Sequence, residues 1–84
     1  MNVSETRFDL LVRLAWQINA LRRAVMVVMP VNGEPVVWVS MSDGRRFAVM
    51  AVQQGGGWIF VWGVHYAPTE PMADAAALIA AVTS

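Results

Sequence analysis

Two dipeptides, Asn32-Gly33 and Asp43-Gly44, each sit between apolar runs. A two-residue hairpin turn needs positive φ at both central positions, and Asn-Gly and Asp-Gly supply it with the least strain. These two points commit the middle of the chain to an antiparallel meander. The strands they connect are Ala24–Pro30, Val36–Met41 and about Arg46–Val52. Two-residue turns would set Val27 opposite Trp38 across the first hairpin and Trp38 opposite Val49 across the second. A glycine run, Gly55-Gly56-Gly57, then leads into a fourth strand, Trp58–Trp62, whose register it leaves open.

The meander is flanked by helical patterns. Asn2 with Glu5 has capping-box spacing, Ser4 is an equally good N-cap, and Phe8, Leu11, Leu14, Ala15, Ile18 and Leu21 form one apolar stripe. Asp9 and Arg13 stand on the opposite side with helix-supporting polarity. Trp16 projects off the stripe, either as a wide edge of the core or as a contact for something else. Near the C-terminus, Thr69 is the expected N-cap of an Ala-rich helix over Met72–Val82, with Pro71 in its first turn and Glu70 and Asp74 at its positive end. Leu78, Ile79 and Val82 are its apolar contribution. The expected fold is a single α+β domain spanning 1–84, a four-stranded antiparallel meander between an N-terminal and a C-terminal helix.

The sheet expected from this pattern is apolar on both faces. The turn registers put Val25, Val27, Met29, Val36, Trp38, Phe47, Val49 and Ala51 on one side, broken only by Ser40. On the other they put Met26, Val28, Val37, Val39, Met41, Ala48, Met50 and Val52, with Arg46 at its end. An antiparallel sheet with one wet face alternates apolar with polar residues instead. Four strands at ~4.8 Å make a sheet roughly 19 Å wide, and two helices of ~10 Å cover about one such face. One apolar face is therefore left over, and contiguous exposed patches of that size mark interaction surfaces. The residues expected at such an interface are Val37, Trp38, Val39, Met41, Met50, Trp58, Phe60 and Trp62.

Composition agrees with a chain that needs a partner. Hydrophobic residues make up 57% and charged residues 14%, against about 45–50% and about 25% in ordinary soluble domains. The net charge is zero, so no long-range field draws in nucleic acid or an anionic membrane. Every basic residue is Arg, which together with the Ala, Val and Gly load points to a GC-rich genome. The chain has no cysteine, which excludes disulfides, thiol catalysis and cysteine-ligated zinc. The polar segment Met1–Asp9 does not read as a signal peptide, and no apolar run reaches the ~20 residues of a membrane span. The expected compartment is the cytoplasm, with no cofactor.

Individual chemical motifs are thin. His65 is the only histidine, and a general base needs a nucleophile or an orienting carboxylate beside it. Glu70 and Asp74 are the nearest carboxylates in sequence, and the simpler reading is a loop residue at a strand end. Arg45-Arg46 reads as a solvated hairpin end and Arg22-Arg23 as a helix C-terminus. The glycine run lacks the Lys-Ser/Thr of a phosphate loop and precedes a strand, so it reads as a hairpin turn. Trp58, Phe60 and Trp62 alternate as one buried face of a strand, although such rings also stack flat ligands.

The run Gly56-Gly57-Trp58-Ile59-Phe60-Val61-Trp62-Gly63, the Asn32-Gly33-Glu34-Pro35 turn and the Ala-rich C-terminal helix resemble small proteins of high-GC bacteria to which no activity is assigned. The resemblance covers most of the chain and implies a helix, a meander and a helix, but no chemistry. Secretion chaperones are similar in packing helices on an antiparallel sheet and in dimerising. They tend to be acidic, and the zero net charge here departs from that pattern. The function expected is a non-enzymatic protein–protein interaction module, a homodimer or the small partner of another protein. The alternative is a ligand pocket or minimal enzyme around Trp58, Trp62, His65 and Tyr66.

Overall fold

The computed structural model describes residues 3–21, 23, 25–28 and 33–82. The order of elements is α1 (Val3–Ala20), β1 (Val25–Val28), β2 (Val36–Ser40), β3 (Arg46–Gln54), β4 (Gly57–Trp62), β5 (His65–Pro68) and α2 (Met72–Ala81). The strands form one antiparallel sheet in the order β1-β2-β3-β4-β5. The α+β meander between two helices is as the sequence predicts, with one strand more than the four expected. Gly63 at φ 59° lets Trp62 turn back onto His65, and β5 pairs along β4 from there. His-Tyr-Ala-Pro carries no strand signal of its own, and its place is set by Ala67 packing into the core.

The second hairpin differs from expectation by one residue. Gly44, at φ 90°, donates its N–H to the Met41 carbonyl at 3.1 Å, and the Met41 N–H donates to Arg45 O at 2.7 Å. The loop is thus three residues, Ser42-Asp43-Gly44, with glycine in the left-handed position that such a loop needs. Asp43 favours it, because its carboxylate accepts the Arg45 N–H at 3.0 Å, a local bond typical of turn aspartates. Val37 consequently faces Val49, and Trp38 faces Ala48. The first hairpin is also one residue off, with Val27 opposite Val37. Asn32 of that turn lies outside the described residues, as do the Asn2 cap, Arg22, Ala24, Met29 and Pro30.

A one-residue slip sends every side chain of a strand to the other face. Both slips act on β2, so β1 and β3 keep their predicted relation while β2 is inverted between them. Val37 and Val39 therefore enter the core, and Trp38 leaves it. Gly55 and Gly56, at φ 60° and 83°, make the third hairpin a tight two-residue turn with Gln54 opposite Gly57. This fixes the fourth strand: Trp58, Phe60 and Trp62 lie on the same side as Val49 and Ala51.

Both helices pack on that side. The core joins Leu11, Leu14 and Ile18 of α1 to Val37, Val39, Val49, Phe60 and Ala67 of the sheet and to Ala75, Ala76 and Ile79 of α2. α1 lies over β1, β2 and β3, α2 reaches β5, and the helices touch each other. Small residues on the buried stripe of α2 let it sit close, and only Ile79 is a large contribution; Leu78 and Val82 are exposed. On α1, Leu10 joins the buried stripe, whereas Phe8, Leu21 and Trp16 are exposed. Asp9 and Arg13 form the expected i,i+4 pair at 3.7 Å.

Two capping expectations are corrected. Ser4 lies inside α1, and Thr69 does not cap α2, which begins after Pro71 with no side-chain cap. The buried Thr69 hydroxyl instead donates to the Trp58 carbonyl at 3.3 Å, holding the end of β5 to β4. Arg23 follows α1 but donates its Nε–H to Ala80 O at 3.4 Å. It thereby ties the chain after α1 to a carbonyl in the last turn of the other helix.

Candidate functional site

With both helices on one side, the opposite face of the sheet is built by the alternate residues of every strand. Met26 and Val28 come from β1, Val36 and Trp38 from β2, Ala48, Met50 and Val52 from β3, Ile59 and Val61 from β4, and Tyr66 from β5. No helix of the described residues covers them. Met26, Met50 and Tyr66 are 50%, 39% and 72% exposed, and the others are half-buried by one another. β3 is the central strand and Met50 its middle residue, so Met50 marks the centre of the face.

Polar groups among the described residues stand only at the margins of this face. Ser40 and Arg46 lie at one end and Gln54 near the β3–β4 turn. The Arg46 guanidinium lies 5.3 Å from the Trp38 ring centroid. A cation over a tryptophan face is held by the ring quadrupole, which keeps this charge stacked on the edge of the face. At the β4–β5 end, Gln54, Ile59, Val61, Gly63, Val64, His65 and Tyr66 line an open groove of about 450 Å³. A second depression of about 310 Å³ lies on the helix side, between Trp16, Ala15, Asn19 and Val25.

The residues expected at an interface divide between the two faces. Trp38 and Met50 lie on the open one. Val37, Val39, Phe60 and Trp62 are buried beneath the helices, and Trp58 is half-buried there. Met41 follows β2 in the hairpin and is half-buried. The inverted β2 accounts for Val37 and Val39. The aromatic trio lies on the covered face because the tight Gly55-Gly56 turn fixes its side of the sheet. Met26, Ile59, Val61 and Tyr66 complete the open face; the signal for them is strand alternation, once the registers are known.

The second constellation, Trp58, Trp62, His65 and Tyr66, is not gathered into one pocket. Trp58 and Trp62 point toward the helices, while Tyr66 points to the open face. His65 is exposed, and its ring centroid is 6.0 Å from that of Trp62 at a 33° tilt. Among the described residues its side chain has no hydrogen bond or ion pair, so nothing orients it as a base. Trp62 Nε1 is buried and finds no acceptor among the described residues. No group of three or more His, Asp or Glu among those residues is placed to hold a metal ion. No helix among them is long and apolar enough to cross a membrane.

Arg7 is a cation used inside the fold. Arg7 of α1 donates its Nε–H to Ala51 O at 3.0 Å, pairs with Glu34 at 3.1 Å, and lies 5.4 Å from the Trp58 ring centroid. It holds α1 down on the covered face and so helps decide which face stays open. Away from the face, in the β2–β3 hairpin, the Arg45 backbone N–H and then the Arg45 side chain hold the Asp43 carboxyl below its ordinary 3.8.

No protein-family model, no curated protein and no solved structure matches the chain.

Proposed function

We propose that this chain is a non-enzymatic protein–protein interaction module whose docking surface is the open face of its sheet. The observation that carries the reading is that both helices pack on one face while the other is equally apolar and has no cover among the described residues. Five strands at ~4.8 Å give a width of about 24 Å, and about five residues of each strand give a length of about 17 Å. That is roughly 400 Å² in projection and larger in accessible area, at the size where exposed apolar patches mark interaction sites. Trp, Tyr, Met and Arg, the residue types enriched in interface cores, occupy it at positions 38, 66, 26, 50 and 46. We assign the module to the cytoplasm of a bacterium with a GC-rich genome, in keeping with its Arg-only basic residues.

The test pairs adjacent residues on opposite faces, with the uncharged apolar dye Nile red as probe. Val37→Arg buries an unpaired charge in the core and should abolish the fold. Trp38→Arg should keep the wild-type circular dichroism and remove most of the dye binding that the folded wild type shows at low concentration. A folded Trp38→Arg variant that binds the dye as well as wild type overturns the reading. If Trp38→Arg unfolds, the wild-type melting temperature is compared at about 1 µM and about 100 µM. A concentration-independent value makes Trp38 internal to the monomer and also overturns it, whereas a rising value traces the loss to an assembly.

A further inference from the structure

We infer that the occupant of the open face is a second copy of this chain, stacked face to face about a two-fold axis near Met50. This rests on the docking reading above and adds the partner. Area comes first. Two faces of roughly 400 Å² in projection, corrugated by side chains, bury on the order of 1,000 Å² or more when stacked, the threshold for a specific interface. Sheets pair this way at about 10 Å separation in sandwich folds.

Charge allows it. A two-fold interface sets a patch against itself, so any net charge at its centre meets its like. Here the chain is neutral overall, and the centre around Met50, Trp38, Ala48 and Val61 carries no ionised group. Arg46 stands at the margin and is already stacked on Trp38.

The sheet edges favour stacking over edge-to-edge extension. The edge strand β5 is four residues long, and four residues of the other edge, β1, are described. β5 also ends in Pro68, which offers no N–H to a neighbouring strand. Short edges of this kind are how sheets avoid pairing along their sides.

Sedimentation equilibrium on the full chain should give a mass about twice 9.2 kDa. Met50→Lys places two like charges near the axis of each dimer. It should raise the dissociation constant at least about 100-fold, because like charges set against each other at an interface repel strongly. Because that variant can also fail to fold, a conservative one accompanies it. The chain contains no cysteine, so Met50→Cys introduces a single thiol at the centre of the face. Its reaction rate with a polyethylene-glycol maleimide should fall at least about tenfold as the protein is concentrated through the dissociation constant. A chain that stays monomeric at about 100 µM overturns the second copy as occupant. So does a dimer of the Met50→Cys variant in which the introduced thiol remains equally reactive, because its contact lies elsewhere. Either result leaves the docking reading to the Nile red experiment, which fails separately.

Discussion

Arg7 offers the sharpest test of how this fold keeps its helices on one side. Replacing it with methionine retains the aliphatic stem but removes three interactions. The hydrogen bond to the Ala51 carbonyl, at 3.0 Å from a charged donor whose side chain is only 14% exposed, belongs to a class contributing about 1.5–3 kcal/mol. The cation over Trp58 at 5.4 Å adds about 0.5–1 kcal/mol. The ion pair with Glu34, whose carboxylate side chain is 55% exposed, is screened by water and contributes under about 1 kcal/mol. Methionine also escapes the cost of desolvating a guanidinium, so the net loss settles near the lower end of the sum, about 2 kcal/mol. For a domain of this size that lowers the melting temperature by about 8–16 °C. Glu34→Gln, which removes only the screened pair, should lower it by less, under about 8 °C. Thermal denaturation by circular dichroism at one fixed protein concentration reads both. An Arg7→Met variant melting within about 4 °C of wild type would refute the clamp. Equal losses for Arg7→Met and Glu34→Gln would assign it to the ion pair alone.

Two further outcomes follow from the turns. Gly56→Ala forces a side chain into a φ of 83° and should cost about 1 kcal/mol or more in the same melting assay. Gly57→Ala, outside the left-handed region and with its nearest atom 4.0 Å from the added carbon, should be neutral or slightly stabilising; equal losses at both positions would contradict the turn geometry. The Asp43 carboxyl, followed by carbon-detected NMR, should titrate below 3.8. Its folded pKa is depressed, so its support of the hairpin is present above the ordinary value and disappears as pH falls through the lowered one. In Arg45→Ala the backbone N–H remains, so part of the depression should persist; a midpoint back at 3.8 would show that the side chain alone was responsible.

The sequence made legible the elements whose signals are local. The Asp43-Gly44 turn marks a hairpin, the glycine run marks another, and the alternation of apolar residues on both sides of the strands marks a sheet with too much to cover. What it left ambiguous is parity. A loop of two or three residues around Asp43 differs by hydrogen bonds that the dipeptide alone does not specify, and the choice decides whether Val37 or Trp38 is core. The two-sided apolar pattern masks such an error, because inverting β2 exchanges one apolar set for another. β5 was illegible because its four residues gain their place only from pairing with β4. Arg7 and Thr69 were illegible as fasteners for the same kind of reason. Their partners, at Ala51 and Trp58, are backbone carbonyls brought near by the tertiary fold.

The meander carries a kinetic consequence. Every strand pairs with its neighbour in sequence, so each hairpin closes over a short stretch of chain. The fastening of α1 spans 44 residues from Arg7 to Ala51, and that of Arg23 to Ala80 spans 57. Loop closure over such separations is slower and is compensated later. We therefore expect the hairpins to form in the folding transition state and α1 to dock afterwards, with φ-values higher for Val49→Ala than for Leu14→Ala; the reverse order would disprove it. Until that docking, a transient sheet exposes both of its apolar faces at once. The newly made chain is then most open to aggregation at the step before its own helices, rather than a partner, have arrived.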